Sequence, residues 1–529
     1  MSDVASLDGG VAASSAQGPE RSRILVGLVL AMGLAAMDTT IVATAIPSIV
    51  SDLGGFALFT WVFSIYVLAQ AVTIPIYGKL ADLYGRKPLL IAGTLVFLAG
   101  SMLSGMAWNM VALIVFRGIQ GIGAGAIQPI VMTLAGDLYD IRERARVQGW
   151  LSSVWGISAV IGPAIGGFFS QYASWRWIFY INIPLGLLVV FIIGKSLHER
   201  VERHEHRIDY AGSALLALGV GLLILELLEG GVDWPWISLP SVLVVAFALI
   251  AIAAFIWQES RAAEPALPLW VFSRRLVLGA NLATFGLGVV SIGLLTFLPT
   301  FAQGVLGVDA VVAGFILAAM SISWPIFSTL SGRLYLRFGF RDTALIGAVI
   351  AVIAGFMFVS LTPAASIWFT TLGSFVMGAG LGLIATPLIV GIQSVVGWNR
   401  RGVVTGSNMF ARQLGQALGA AIFGSVVNTA LAVWFQQAPA SIAARLPSSI
   451  NVTSQAPGGA SGLSAEVAAY VRQGLYVATH QVFWALTVVA IATVLVTLLM
   501  PRHFASLRFG DEEAETAARP PREAEDIGV

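Results

Sequence analysis

Three ionisable residues lie inside long apolar segments, and these are the side chains best placed to do chemistry. They are Asp38, Arg117 and Arg412. An ionisable group in a hydrocarbon layer is costly unless it is paired or solvated. We interpret Asp38 as a carboxylate that binds and releases a proton, and Arg117 as a cation that controls its protonation. The structural alternatives are a hydrogen bond between Asp38 and Thr39 or Thr40, and a static bond from Arg117 to a backbone carbonyl.

Other chemical motifs are missing from the sequence. It has no cysteine, no Gly-x-x-x-x-Gly-Lys-[Ser/Thr] phosphate loop, no His-Glu-x-x-His and no Gly-x-Ser-x-Gly. Thiolate metal sites, cysteine nucleophiles and ATP-driven transport by this chain alone are therefore disfavoured. We expect a protein that is not an enzyme, that holds no metal and that needs no cofactor beyond a proton gradient.

The elements that hold these residues are predicted to be membrane-spanning helices. Hydrophobic residues make up 57% of the 529 residues and charged residues 11%, and the mean hydropathy is +0.86. Soluble domains carry about 25% charged residues, so the composition excludes a soluble globular enzyme, a disordered chain and a nucleic-acid-binding protein. A spanning helix needs about 20 apolar residues. We predict fourteen, at 24–47, 57–77, 88–107, 110–134, 147–170, 176–195, 209–229, 238–257, 275–300, 309–330, 342–361, 366–392, 403–430 and 480–500.

The distribution of basic residues predicts the orientation of these spans. Of the 29 Lys and Arg residues, 24 fall on one side of the predicted spans and three on the other. Because basic residues accumulate in cytoplasmic loops, we expect a multi-pass protein of the inner (cytoplasmic) membrane with both termini in the cytoplasm. A long loop over 431–479 is expected on the other side, partly flexible and with a short amphipathic helix near 466–476. The tail from 510 is expected to be disordered.

A repeated motif predicts two related halves. The sequence from Gly78 to Lys87 recurs in degraded form from Gly332 to Arg341. This spacing exceeds a six-span unit by about 60 residues, which leaves room for two more spans. We therefore predict an all-α protein of two parallel-related six-helix bundles joined by two linker helices. The predicted units are an N-terminal tail 1–23, a first bundle 24–200, a linker pair 201–265, a second bundle 266–500 and a C-terminal tail 501–529.

Several motifs together resemble the major facilitator superfamily, in its fourteen-span drug:proton antiporter family. The similar segments are the loop 78–88, residues 117–123 in the fourth span, residues 162–167 in the fifth, residues 38–47 in the first and the junction 175–184. The resemblance implies alternating access, in which the two bundles rock about a cavity between them. The residues implied in this conformational gating are Gly78, Asp82, Gly85, Arg86, Lys87, Gly162, Pro163, Gly166 and Gly167.

Within that loop we expect Asp82 and Arg86 to pair across helix ends and hold the cytoplasmic side closed. We place the pair near solvent, where such an interaction contributes about 1 kcal/mol. Glu226 and Glu229 belong to the linker pair, and two interpretations stay open for them: side chains that reach the outer interface, or a role in transport.

Aromatic and polar residues at mid-span are the candidates for a substrate cavity. They are Gln120, Trp61, Tyr66, Gln70, Trp155, Asn281, Phe285, Trp324, Asn408 and Arg412. A divalent cation in a dry cavity would need about two carboxylates, and spans 9–14 offer none at mid-depth. We expect neutral, monovalent or zwitterionic lipophiles to be preferred over rigid divalent cations.

The sequence thus predicts a monomeric, proton-coupled exporter of amphipathic lipophilic compounds. Its expected partners are a small lipophilic substrate, protons and the lipid bilayer, and no nucleic acid. An exporter of an endogenous metabolite or lipid with the same fold is the alternative. An intramembrane enzyme or receptor is a third class, which a second acid at membrane depth would have favoured.

Overall fold

The computed structural model describes residues 19–502, except 55–57, 59–60, 200–208, 231–233, 263–264, 266–267 and 444–463. Helices make up nearly all of this part of the chain, and no β-strand occurs within it. The predicted N-terminal tail up to residue 18, the disordered tail from 510 and residues 444–463 of the predicted flexible loop lie outside the described residues.

The first bundle consists of long helices joined by short turns. Asn109 and Asp140 begin α4 and α5, because each side chain accepts a hydrogen bond from a backbone N–H in the first turn, at 2.7 and 2.8 Å. The helices are α1 (Pro19–Leu53), α2 (Trp61–Tyr84), α3 (Arg86–Gly105), α4 (Met110–Leu138), α5 (Ile141–Tyr172), α6 (Trp177–Tyr180) and α7 (Asn182–Ser196).

A linker pair and a second bundle follow. The linker helices are α8 (Tyr210–Glu229) and α9 (Leu239–Glu259). The second bundle contains α10 (Trp270–Ser273), α11 (Arg275–Gly304), α12 (Ala310–Phe338), α13 (Phe340–Val359), α14 (Ile367–Ser394), α15 (Trp398–Gln436), α16 (Ala440–Ala443) and α17 (Ala465–Leu498). The predicted short helix near 466–476 is wrong as a separate element, since α17 continues through it into the last span.

The predicted repeat has the same turn in both copies. Gly85 joins α2 to α3 with φ 93°, and Gly339 joins α12 to α13 with φ 90°. Only glycine adopts such a backbone without strain, so both copies of the motif need a glycine at this turn. The two bundles are therefore built on the same local plan.

Long apolar helices confirm the membrane-protein class. Among the described residues, twelve helices are long and apolar enough to cross a membrane. The helices α5 and α8 lie where two further spans are predicted, but α8 contributes only a shorter apolar stretch, Ala211–Glu226, and α5 is not among the twelve. The count of fourteen spans stays a prediction.

The two bundles pack against each other through α2 with α15 and through α5 with α12. Met409 of α15 joins the apolar core of the first bundle, and Ala145 of α5 joins that of the second. The linker helix α8 packs beside α2 and α15, where Leu216 and Ile224 meet Ala71. The linker pair thus lies on the flank of the joint between the bundles.

Candidate functional site

Asp38 and Arg117 form a buried ion pair between α1 and α4. Arg117 Nη1 donates to Asp38 Oδ2 at 2.5 Å, and both residues are completely buried. At 1.5 Å of rise per residue, Asp38 lies about 25 Å along α1 from Arg21, well inside the apolar stretch. Gln120 donates a further hydrogen bond to Asp38 Oδ1 at 2.8 Å.

Arg117 also bonds to a backbone carbonyl, which is the contact that the structural alternative for this residue predicts. Its Nε donates to the carbonyl of Val62 at 3.2 Å, and Nη1 donates to Gln120 Oε1 at 2.8 Å. The guanidinium carbon lies 4.1 Å from the centre of the Tyr66 ring, a cation–π contact. The described partners of this cation therefore lie on α1, α2 and α4. The ring of Phe179 in α6 is also near, with its centre 5.9 Å from the guanidinium carbon.

The alternative for Asp38 is not what the structure shows. The hydroxyl of Thr39 donates to the carbonyl of Ala36, and that of Thr40 donates to the carbonyls of Met37 and Ser158. Neither threonine bonds to the carboxylate, so the charge of Asp38 is balanced by Arg117 rather than by local hydroxyls.

Asn182 is a site residue that sequence reasoning missed. Its Nδ2 donates to Asp38 Oδ1 at 3.1 Å and to Ser101 Oγ at 3.0 Å. Ser101 in turn donates to the carbonyl of Phe179 at 2.8 Å. The available signal was a single amide in the apolar run 177–184, which follows the aromatic junction. The set Asp38, Arg117, Gln120 and Asn182 is called the proton site below, after the proton-binding role that the sequence analysis predicts for Asp38.

A second cluster joins the two bundles at the end where the loops are rich in arginine, here called the basic end. Asp82 Oδ1 accepts from Arg86 Nη2 and from the backbone N–H of Gly402, both at 2.8 Å. Asp82 Oδ2 accepts from the N–H of Val403 at 2.8 Å. Arg86 Nη2 also donates to the carbonyl of Trp398 at 2.5 Å. One carboxylate and one guanidinium of the first bundle thus bind the first two turns of α15.

Asp137 extends this cluster and was not anticipated. Its Oδ2 accepts from Arg86 Nε at 2.9 Å, and its Oδ1 accepts from Arg401 Nη1 at 3.2 Å. The ring of Trp398 lies 3.5 Å from the Arg86 guanidinium carbon. We call the set Asp82, Arg86, Asp137, Trp398, Arg401, Gly402 and Val403 the basic-end latch. The expectation that the Asp82–Arg86 pair lies near solvent is wrong, since the two side chains are 2% and 0% exposed.

The remaining loop residues support the latch. A Cβ on Gly78 would lie 2.6 Å from the carbonyl oxygen of Gly402, so glycine lets α2 and α15 approach. Gly85 supplies the positive-φ turn. Lys87 Nζ donates to the carbonyl of Gly194 at 2.8 Å. Glu199, also missed, accepts the backbone N–H groups of Arg86 and Lys87 at 2.9 and 2.8 Å.

The candidate gating residues of α5 differ from one another. A Cβ on Gly162 would collide with the hydroxyl of Thr40 on α1, so this glycine permits close packing near the proton site. Gly166 is buried, whereas no atom lies within 4 Å of the Cβ position of Gly167. The side chain of Pro163 lies outside the described part of the structure.

The substrate candidates do not form one cluster. Gln120 and Tyr66 belong to the surroundings of Arg117, and Gln70 is buried. Asn408 donates to Asn281 Oδ1 at 3.2 Å, within α11 and α15. The other four aromatic candidates are partly buried. Trp155, Phe285 and Trp324 pack against the bundle cores, and Trp61 lies at the start of α2.

Glu226 is buried beside the connection between α8 and α9. It is 3% exposed, and its carboxylate accepts from Trp234 Nε1 at 3.1 Å and from Ser241 Oγ at 2.5 Å. These contacts tie α8 to α9. The side chain of Glu229 is not among those described. No cluster of His, Asp or Glu that could hold a metal ion occurs among the described residues.

Comparisons with known proteins agree with this architecture. The profile of the Major Facilitator Superfamily matches residues 28–420. The chain is 38% identical to "Multidrug transporter protein MdtP" of Bacillus subtilis (strain 168) over 409 residues, 77% of this chain and 76% of that one. It is also 38% identical to "Multidrug resistance protein 3" of the same organism over 405 residues, 76% of this chain and 79% of that one.

Among solved structures, the human organic anion transporter MFSD10 (TETRAN) shares the fold. Its TM-score is 0.59 at 14% sequence identity, and the match covers 90% of this chain and 100% of that one. At that identity the likeness concerns the fold alone.

Proposed function

Because this chain belongs to the Major Facilitator Superfamily, we propose that it is a proton-coupled antiporter that exports amphipathic lipophilic compounds. Its multidrug-transporter relatives support an efflux role, and its apolar helices support a membrane location. The observation that carries the proton coupling is the buried ion pair of Asp38 and Arg117 at membrane depth. A titratable group in that position marks an ion pathway more often than it serves stability.

The hydrogen bonds of the proton site define what protonation does. Asp38 Oδ1 already accepts from Gln120 and Asn182, so the oxygen free to take a proton is Oδ2, which faces Arg117. A proton on Oδ2 removes the negative charge that holds the Arg117 guanidinium. The guanidinium is then held mainly by its remaining acceptors, the Val62 carbonyl and Gln120 Oε1, and is released to move away from α1. Protonation therefore changes the contacts of α4 with α1.

The latch supplies the conformational half of the mechanism. The hydrogen bonds between described residues of the two bundles lie at the basic end. They are the bonds of the latch, the bond from Gln393 Nε2 to the Met132 carbonyl at 3.1 Å, and the bond from Tyr335 to the Ile141 carbonyl. We infer that the basic end is cytoplasmic, which makes this conformation closed to the cytoplasm. Loading substrate from the cytoplasm then requires these bonds to break.

The finer features of the proposal follow from the sequence. We propose fourteen spans in a six, two and six arrangement, both termini in the cytoplasm, the inner membrane as the location, and a monomer as the working unit. The arginine-rich loops support this orientation, and the positions of α5 and α8 support two spans beyond the twelve.

The test compares two aspartates on the same helix. The purified chain is placed in liposomes with an imposed pH gradient, and accumulation of the monovalent dye rhodamine 6G is followed. Asp38→Asn should abolish accumulation driven by the pH gradient but keep dye-for-dye counterflow, which needs no net proton movement. Asp52→Asn is the matched control on α1, since Asp52 is half exposed and paired with Arg176 at 2.6 Å. Uphill accumulation by Asp38→Asn would refute the assignment.

A further inference from the structure

Arg412 on α15 is a cation in a membrane-spanning helix that has no partner among the described residues. No ion pair or hydrogen bond of its side chain occurs among the described residues, and its Nε is buried with no acceptor. The side chain as a whole is partly exposed, so its terminal nitrogens reach open space. Arg86, Arg117 and Arg401, the other buried arginines of the two sites described above, each have a carboxylate partner.

The position of Arg412 on α15 places it on the face that meets the first bundle. Residues seven apart lie on the same helix face, and Thr405, two turns earlier, accepts from Gln393 Nε2 at 2.9 Å. That same Nε2 donates to the carbonyl of Met132 in the first bundle. Met409, between them on this face, packs in the core of the first bundle.

Burial along this face decreases with distance from the latch. Thr405 and Met409 are 0% and 5% exposed, whereas Arg412 and Gln416 are partly exposed. Arg412 lies about 21 Å along α15 from Trp398, which is near mid-membrane depth. A Cβ on Gly288 of α11 would collide with the Arg412 carbonyl, so α11 packs tightly behind it. Arg412 thus lies on the face of α15 toward the first bundle, at the point where the cleft between the bundles becomes accessible.

The second bundle has no acid that could neutralise this charge. From residue 268 to residue 502 its acidic residues are Asp309, Asp342 and Glu466. All three lie at helix ends, and Asp342 is paired with Arg502 at 3.0 Å. Asp38, Asp82 and Asp137 of the first bundle are engaged in the two sites. An arginine left unpaired at this depth is costly, and a guanidinium binds compact oxyanions through paired N–H groups.

We propose that Arg412 is a substrate-binding residue that receives the anionic group of a lipophilic carboxylate, or of another amphipath with a compact oxyanion. This inference rests on the proposed export function and adds that, among its lipophilic substrates, those carrying a compact oxyanion are bound more tightly than neutral ones of the same shape. The apolar body of the substrate would lie in the cleft, and its carboxylate would meet the terminal nitrogens of Arg412.

The test uses a matched pair of probes that differ in one charge. They are 11-(dansylamino)undecanoic acid and its methyl ester, whose binding to the full chain in lipid nanodiscs is followed by dansyl fluorescence. A charge-assisted hydrogen bond changes affinity by about tenfold or more. The wild-type chain should bind the acid about tenfold more tightly than the ester, and Arg412→Gln should remove that difference while leaving ester binding within about twofold. Arg412→Lys should restore part of it.

The control is Arg333→Gln, which removes an exposed arginine of α12 and should leave both affinities unchanged. Equal binding of acid and ester by the wild-type chain would overturn the inference, and so would an equal loss of both in Arg412→Gln. If that variant does not fold, the wild-type comparison and Arg412→Lys still decide. Uptake of the ester driven by a pH gradient in liposomes tests the proposed export function separately, because it does not require Arg412 to hold an anion.

Discussion

Replacing Asp82 with Asn is expected to open the basic-end latch. The two oxygens of Asp82 accept the backbone N–H groups of Gly402 and Val403, both at 2.8 Å, and these bonds cross from one bundle to the other. A hydrogen bond to a charged group contributes about 1.5–3 kcal/mol. Asparagine keeps one acceptor oxygen without the charge, so one bond is lost and the other is weakened. The expected cost is about 2–4 kcal/mol, or roughly a 30- to 900-fold change in the ratio of closed to open molecules.

Spin-label distances measure this ratio directly. The chain has no cysteine, so labels can be attached to introduced cysteines alone. Arg142 and Arg337 are exposed at the basic end of α5 and α12, one in each bundle. Tyr172 and Val311, 72% and 68% exposed, form the matching pair at the opposite end. In Asp82→Asn the 142–337 distance should lengthen and the 172–311 distance should shorten.

The control removes a carboxylate from the same end without crossing the bundles. Asp342 pairs with Arg502 at 3.0 Å, and both belong to the second bundle. Asp342→Asn should leave both distance distributions unchanged. If Asp82→Asn also leaves them unchanged, the latch does not hold the bundles together and the reasoning fails.

Three further predictions concern other contacts. Gly78→Ala should lengthen the 142–337 distance as Asp82→Asn does, because the new Cβ would lie 2.6 Å from the Gly402 carbonyl oxygen and 3.2 Å from Gly406 Cα. Hydrogen bonds from Arg176 and Trp175 lower the pKa of Asp52. The stability that this carboxylate contributes is therefore present above its unfolded pKa of about 4 and is lost as pH falls through its folded pKa. Asp52→Asn should unfold at a lower temperature than wild type at pH 7 and at the same temperature in strong acid. A bis-quaternary dication should be exported far less well than a monovalent dye of equal lipophilicity, and efficient proton-driven export of the dication would contradict the shortage of carboxylates in the second bundle.

The sequence alone is enough to predict the features of the fold and the site that depend on residue type. Apolar runs predict the long helices, and the repeat predicts the related bundles, because Gly85 and Gly339 are required at the same turn. The pairing of Asp38 with Arg117 is predictable in the same sense, since an unpaired charge at that depth is costly. Asn182 was not predictable, because an amide in an apolar helix has many possible partners and only the fold selects Asp38.

The latch shows what residue types alone do not determine. Asp82 and Arg86 were identified, but the acceptor and donors that bind them across the bundles are the Trp398 carbonyl and the N–H groups of Gly402 and Val403. Backbone groups are the same in every residue, so no sequence signal marks these contacts. The burial of the pair follows from the same approach of α15, and removal of one partner therefore leaves an uncompensated buried charge, which costs more than the loss of a surface pair.

The proton site and the latch are connected by two continuous helices. Arg117 and Asp137 both lie on α4, 20 residues and about 30 Å apart. The carbonyl of Val62, which accepts from Arg117, and Asp82 lie on α2 at the same separation. If protonation of Asp38 shifts Arg117 as proposed, the shift acts on both helices that carry the first bundle's share of the latch.

Each of these helices has a proline between its two sites, Pro75 in α2 and Pro129 in α4. Proline removes one backbone hydrogen bond from a helix and permits a kink there. The latch end can thus tilt relative to the proton-site end while both helices stay intact. Opening or closing of the latch then needs no chain of side-chain contacts from Asp38, because a displacement at the proton site is transmitted along α2 and α4.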